Sequence, residues 1–414
     1  MSENVLFKEE IGSSVLKVAN KKKEVRWKDI IADLYDLIKE SYDGKSIKVY
    51  RGDWKRRIKL VIKSMGYRLE NFDDDVFVPL DTTKKPESFS TKSTGSNYKL
   101  SDCEKKHIVD NFNKVPTTEK WILSTGKAVD DVMKNLAQES VYEHPVHSMI
   151  LDPDDPVWKN HFTNDELNEI RSFHLTPLPN IPNDIEQYLA IYEEDWKSAK
   201  ELYKFADDQK HDPVDEFHLK WIRESFMRAA ELFFYDDTLT LNDYSEADLL
   251  HEVWSFVYRA FKDRQIKAAL GEKSSVAVAL VDDKYLDDGL MKLPKTLRDM
   301  LSVLVQKNPA QANHIKTVGF LIAGLTMELV IMDCPVSHHI TRISRTPKLE
   351  FPSCISVIAV DLLPLLEITW KGKEVMKATI KTLNNRKRKA AELNATSTEN
   401  MPSLSFSFVR KPSA

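Results

Sequence analysis

Apolar residues recur along the chain with two periods, and the switches between them divide it. Trp27, Ile30, Ile31, Leu34, Leu37 and Ile38 keep the spacing of one helix face, with Gly44 beyond the end. Residues 47–50 alternate briefly. Asp53 is placed to cap a second helix through Trp54, Ile58, Val61, Ile62 and Met65, stopped at Gly66. Tyr67, Leu69 and Phe72, then three aspartates at 73–75 and an apolar run at 76–78, predict a β-hairpin. Helix, short strand, helix, hairpin is the order of a winged-helix unit over residues 1–80. Residues 81–116, rich in Thr, Lys, Ser, Gly and Asn, read as a linker.

Helical spacing returns over 117–142 and again at Trp221, Ile222, Phe226, Ala229, Ala230 and Phe233, so 117–243 is expected to be mostly helical. Ser245 with Asp248 fits a capping box ahead of a helix through Leu249, Val253, Trp254, Val257 and Phe261. Residues 276–281 form a compact apolar strand, 290–306 a helix, and 318–324, 325–332 and 339–344 three successive strands. A final helix over 352–383 is expected to break or kink at Pro364. The fold class is therefore multidomain α+β. It has a winged-helix-like start, a helical middle, an α/β domain over 244–384, and a polar tail over 385–414 expected to be disordered.

Charge changes this picture locally, not globally. The 414 residues carry 60 Lys/Arg and 64 Asp/Glu, a formal net charge of -4, so any nucleic-acid surface must be local. Residues 45–68 hold nine Lys/Arg and one acid. Lys48, Arg51, Lys55, Arg56, Lys59 and Lys63 are the candidate contacts to DNA or RNA phosphates, since each neutralised phosphate releases counterions. The other reading is a solvated helix face, and the aspartates at 73–75 would repel a phosphate backbone. Residues 184–248 hold 18 acids against seven Lys/Arg, which suits solvated helix faces or an intramolecular latch on the basic N-terminal helix. Arg386, Lys387, Arg388 and Lys389 in the polar tail form a candidate nuclear-import signal, favouring the nucleus over the cytoplasm.

Several chemistries find no support. Three cysteines exclude a disulfide scaffold. The start lacks a basic n-region with an apolar core, so no signal peptide is read. The apolar run at 318–332 carries Glu328 and two glycines and reads as strands, not a membrane span. His144, His147, His161 and His174 match no zinc spacing and read as packing or surface histidines. Cys334 and His338 would supply two ligands where zinc needs three or four. Gly271 to Ser275 lacks the phosphate-loop pattern and precedes a strand rather than a helix. No metal and no cofactor is assigned, save Mg²⁺ if the following constellation is active.

Metal-dependent nucleases of the restriction-endonuclease type need carboxylates to hold Mg²⁺ and a lysine beside the attacking water. Glu246 is the candidate helix acid, and Asp282 with Lys284 has the D-x-K spacing just beyond a buried strand. A D-x-K alone is common by chance, and no aspartate lies on the strand before it.

The stretches TTEKWILSTGKAVDDV, HPVHSMILDPDD, YSEADLLHEVWSFVYRAF, GEKSSVAVAL, DGLMKLPKTLRDML, VGFLIAGLTMELVIMDCP and LPLLEITWKGKEV resemble a large uncharacterised multi-copy family of early-diverging, zygomycete-type fungi. The resemblance runs from about residue 117 to 384. It implies a C-terminal half similar to a PD-(D/E)XK nuclease core. It also implies a metal-binding insert after GEKSSVAVAL, and here Leu280 runs straight into Val281. Glu246 carries over from that pattern, whereas Asp282 and Lys284 match by spacing alone. The expectation is a non-catalytic or vestigial nuclease-like protein that binds nucleic acid. The alternatives are an active Mg²⁺ nuclease and a protein-interaction module.

Overall fold

A computed structural model describes residues 7–19, 23–41, 54–55, 57–59, 61–62, 65–70, 98–235, 239, 248–262, 291–336, 339–384 and 407. In the N-terminal part, α1 (Lys8–Val18), β1 (Glu24–Arg26) and α2 (Trp27–Glu40) surround a core that includes Trp27, Ile30, Ile31, Leu34 and Ile38. This is the face the sequence spacing predicts. Trp54, Ile58, Val61 and Ile62, also at helical spacing, close the same core. α1 carries no signal in the sequence reading, yet it buries Ile11 and Val15 completely.

The first arm of the expected hairpin has a second partner that the sequence does not announce. β2 (Arg68–Glu70) lies parallel to β1, with Glu24 opposite Arg68 and Arg26 opposite Glu70. A parallel pair needs a crossover, and α2 with the described helical residues 54–55, 57–59 and 61–62 lies between the two strands in the chain. Residues 71–78, the expected return arm, lie outside the described residues.

Part of the expected linker is ordered structure. Lys99 bridges to Tyr142, and α3 (Asp102–Asn113) opens with a full capping box between Ser101 and Glu104. α3 packs on α4 (Val129–Glu139) around Ile108, Phe112, Met133 and Leu136. Trp121, Trp158 and α5 (Asn164–Ser172) complete that core. Next come α6 (Asn183–Ala190), α7 (Ala199–Asp208) and α8 (Phe217–Glu231), the helical middle that the spacing predicts. The helix expected through 249–261 is a π-helical turn, Leu249–Val253, followed by α9 (Ser255–Ala260). Ser245 and the expected strand at 276–281 lie outside the described residues.

The remainder is a sheet between helices. α10 (Leu293–Lys307) starts with Pro294 in its first turn, where the missing N–H costs nothing. β4 (Thr317–Ala323), β5 (Thr326–Asp333) and β6 (Thr341–Arg345) run antiparallel in turn, β7 (Leu349–Glu350) pairs with β5, and β3 (Ile150–Leu151) joins β6 in parallel. The order is β3–β6–β5–β4. β3 belongs to the segment read as the helical middle, and its Ile150 stands opposite Thr341. The core that contains Trp221 and Phe226 also contains Leu329 and Leu366. The division at residue 243 is thus crossed by both sheet and core.

Alternation along β4 assigns the two faces. Leu321 packs with Leu297 and Leu301 of α10, whereas Phe320 and Ile322 join the core under α11 (Ile358–Asn384). Two glycines permit the close approach. A Cβ on Gly319 would lie 2.7 Å from Leu293 Cδ1, and one on Gly372 would lie 3.0 Å from Phe320 Cζ and 3.1 Å from Leu329 Cδ1. α11 is buried around most of its circumference because it lies between this sheet and α8 and α9. Of the break or kink expected at Pro364, the break does not occur: the helix runs through that residue. In the expected disordered tail, Ser407 is buried and donates from its backbone N (2.7 Å) and Oγ (2.9 Å) to the Asp299 carboxylate on α10. No helix of the described residues is long and apolar enough to cross a membrane.

Candidate functional site

The buried acids on and directly beside the β3–β6–β5–β4 sheet, Asp152, Glu328 and Asp333, are held by arginines. Asp152 follows β3 directly and is buried. Arg345 on β6 donates from Nε to Asp152 Oδ2 at 2.8 Å and from Nη1 to Glu328 Oε1, on β5, at 2.8 Å. One guanidinium thus joins two carboxylates from two other segments. Burial pushes the Asp152 carboxyl above the usual carboxylate range, and Arg345 opposes that shift. The Asp154 backbone N–H also donates to Asp152 Oδ1 at 3.1 Å.

The turn after β3 uses its other aspartates as well. Asp154 receives Arg171 Nε at 2.9 Å. Asp155 Oδ2 lies 2.9 Å from His144 Nε2, and its Oδ1 accepts from Val157 N at 3.0 Å. His144 Nδ1 accepts from Val146 N, and His147 Nδ1 accepts from His144 N while its Nε2 faces Ala137 O. Both histidines are packing groups, and burial pulls the His147 imidazole down to about 4.

A second lock lies on the other face of β6. Arg342 is fully buried and reaches Asp333 through Nε (3.2 Å) and Nη2 (2.7 Å). Its Nη1 donates to Ile170 O and Phe173 O, both at 2.7 Å. These carbonyls lie at the C-terminal end of α5, where four C=O groups lack intrahelical partners. Arg342 therefore ties the helical middle to the sheet. Arg298 of α10 is also fully buried, and donates to Met149 O (3.2 Å), Thr341 Oγ1 (2.9 Å) and His339 O (3.0 Å). Burial lowers its guanidinium to about 10 and pushes the neighbouring Cys334 thiol up to about 12.

A cation entering at Asp152 and Glu328 would have to displace Arg345. The described residues contain no group of three or more His, Cys, Asp or Glu that could hold a metal ion. Glu246, Asp282 and Lys284, the nuclease candidates, lie outside the described residues, as do Lys48, Arg51, Arg56, Lys63 and the tail cluster Arg386, Lys387, Arg388 and Lys389. Two of the six phosphate candidates are described. Lys59 is half-buried, and Lys55 is only 5% exposed, which makes it a buried residue of the N-terminal unit and not the surface cation expected. Arg57, not singled out by the sequence reading, lies over the stacked rings of Phe7 and Trp54. The arginine locks had one trace in the sequence: Glu328 and Asp333 interrupt an otherwise apolar run.

Fold and site define the class: an α+β protein with a mixed sheet between helices, the buried carboxylates Asp152, Glu328 and Asp333 closed by arginine. No protein-family model, no curated protein and no solved structure matches the chain.

Proposed function

We propose that this chain is a non-catalytic, nuclease-like protein that binds nucleic acid. The supporting observation is the pairing of the buried sheet acids with arginine: Asp152 and Glu328 with Arg345, and Asp333 with Arg342. Metal-dependent phosphodiester hydrolysis needs carboxylates open to a cation on one side and to water on the other. A carboxylate already bonded to a buried guanidinium meets neither need. Membership of the fungal multi-copy family, a degenerate restriction-endonuclease-like core, a winged-helix-like N-terminal unit and a nuclear location driven by Arg386 to Lys389 belong to the same proposal.

The test is a Mg²⁺ and Mn²⁺ titration of the full chain with labelled single- and double-stranded DNA, reading both gel shift and cleavage. The expected result is a shift that weakens steeply with salt, fades in Arg56→Glu with Lys59→Glu, and comes with no cleavage. Cleavage that disappears in Asp282→Ala would overturn the non-catalytic reading in favour of Glu246, Asp282 and Lys284 as a Mg²⁺ site. Absence of any shift would overturn nucleic-acid binding and leave a protein-interaction role.

A further inference from the structure

A cleft of about 280 Å³ opens between α8 and α9. That is room for roughly nine waters at liquid density, or for a phosphate with part of a nucleoside. Phe217, Lys220, Trp221 and Glu224 line one wall, and their spacing places them on one face of α8. Arg259 and Lys262 form the other wall. The two walls are pinned together by Trp221 Nε1, which donates to Phe256 O at 2.9 Å.

The charges in the cleft are unbalanced. Among the described residues that line it, Lys220, Arg259 and Lys262 face a single acid, Glu224. Its contacts to Lys220 Nζ (3.5 Å) and Arg259 Nη1 (3.8 Å) are both longer than a charge-assisted hydrogen bond of about 2.7–2.9 Å. Lys262 Nζ rests over the Tyr258 ring at 5.0 Å. The buried Lys373 ammonium lies 4.5 Å from the Phe217 ring centroid and adds positive field behind the aromatic wall. Arg259 Nε is buried with no hydrogen-bond partner among the described residues, while the side chain as a whole is 29% exposed. The exposed end of the guanidinium is the part an anion in the cleft would meet, and it offers a charge-assisted donor in place of the long contact to Glu224.

We infer that this cleft binds a phosphoryl group, with Lys220, Arg259 and Lys262 around its oxygens and the half-buried Phe217 ring beside the attached base. The chemistry is that of a nucleotide, and two sources offer it: a free nucleoside 5′-phosphate or a phosphate within single-stranded nucleic acid. Aromatic contact to a base beside a cationic groove is how sequence-tolerant single-strand binders work. The inference stands on the cleft and does not need the N-terminal cations of the proposed function.

The test is calorimetric titration of the full chain with uridine 5′-monophosphate, a thymidine 12-mer and inorganic phosphate. Each is repeated in Arg259→Ala, in Lys220→Ala with Lys262→Ala, and in Lys134→Ala as a surface control on a different helix. Hydrogen exchange of α8 and α9 checks that each variant is folded. The expected result is binding of the monophosphate or the 12-mer that weakens at least tenfold in both cleft variants and is unchanged in the control. The ligand that shows this loss identifies the source. Binding of the 12-mer that ignores the cleft variants but fails in Arg56→Glu with Lys59→Glu would overturn the cleft and spare the proposed function. Monophosphate binding lost with Arg259→Ala, with no 12-mer binding, would support the cleft as a site for a free nucleotide. No binding of any probe would overturn the cleft, while the proposed function stands or falls by the gel shift with single- and double-stranded DNA.

Discussion

Replacing Arg342 by methionine tests whether the sheet and the helical middle are held together by one buried guanidinium. Arg342 is 0% exposed, and Asp333, its carboxylate partner, is 5% exposed. The substitution keeps most of the side-chain volume and removes five hydrogen bonds, two to Asp333 and three to the end of α5. Removing one member of a buried pair costs about 3–5 kcal/mol, because the other is left charged and desolvated. The three carbonyls at the end of α5 also lose a charged donor, a loss that overlaps with the first and does not simply add. The expected destabilisation is about 4 kcal/mol, a large share of the roughly 5–15 kcal/mol that holds a domain folded. Arg342→Lys keeps the charge but lacks the planar fork and is expected to recover only part of it. Arg342→Met with Asp333→Leu removes both charges and is expected to cost about half as much as the single variant. Urea unfolding followed by circular dichroism measures the totals, and hydrogen exchange of α5 localises them. A single variant within about 1 kcal/mol of the parent, or a double variant no better than the single, would refute the argument.

Other outcomes follow from the same geometry. Gly372→Val forces side-chain atoms into Phe320 and Leu329 and should cost about 2–3 kcal/mol in urea unfolding. His147 is held near 4 against 6.5 when unfolded, so stability contributed above pH 6.5 is lost as pH falls from 6.5 to 4; His147→Gln should flatten melting temperature across that window. Glu166, held down to about 2 chiefly by Lys127 at 2.7 Å, stabilises above pH 4.5 and loses that contribution between 4.5 and 2. Unfolding of Glu166→Gln should differ from the parent at pH 7 and converge with it toward pH 2. Asp299→Ala removes both acceptors of Ser407 and should speed proteolytic loss of the tail without lowering the melting temperature of the sheet.

What the sequence made legible and what it did not divide by range. Trp27 to Ile38 and Trp221 to Phe233 announce helices because burial on one face imposes a period that a short window captures. The β4–β5 hairpin was legible for the same reason: its two arms are neighbours and share the turn at Gly324. α1 escaped because its glycine, serines and charges dilute the pattern that Ile11 and Val15 carry. β3 escaped because two residues set no period, and only the distant β6 makes Ile150 and Leu151 a strand. The parallel partnering of β2 with β1 escaped likewise, since a hairpin is the local solution and the observed pairing is not.

The arginine locks belong to this second kind, and they bear directly on function. Asp152 in an Asp-Pro-Asp-Asp-Pro turn looks like a solvated chain break, and Arg345 looks like a strand-end charge. Neither residue's surroundings in sequence contain the other, so no spacing rule could have coupled them. Burial couples them, because an acid on the sheet must be neutralised by whatever the tertiary fold places beside it. A carboxylate beside a strand therefore has two destinies, metal or guanidinium, and local motif reading cannot separate them. The D-x-K reading at Asp282 and Lys284 rests on such local spacing alone. If Asp282→Ala leaves DNA binding intact and no cleavage is seen in the parent, the D-x-K spacing at Asp282 and Lys284 carries no metal chemistry, as local spacing alone could not have told.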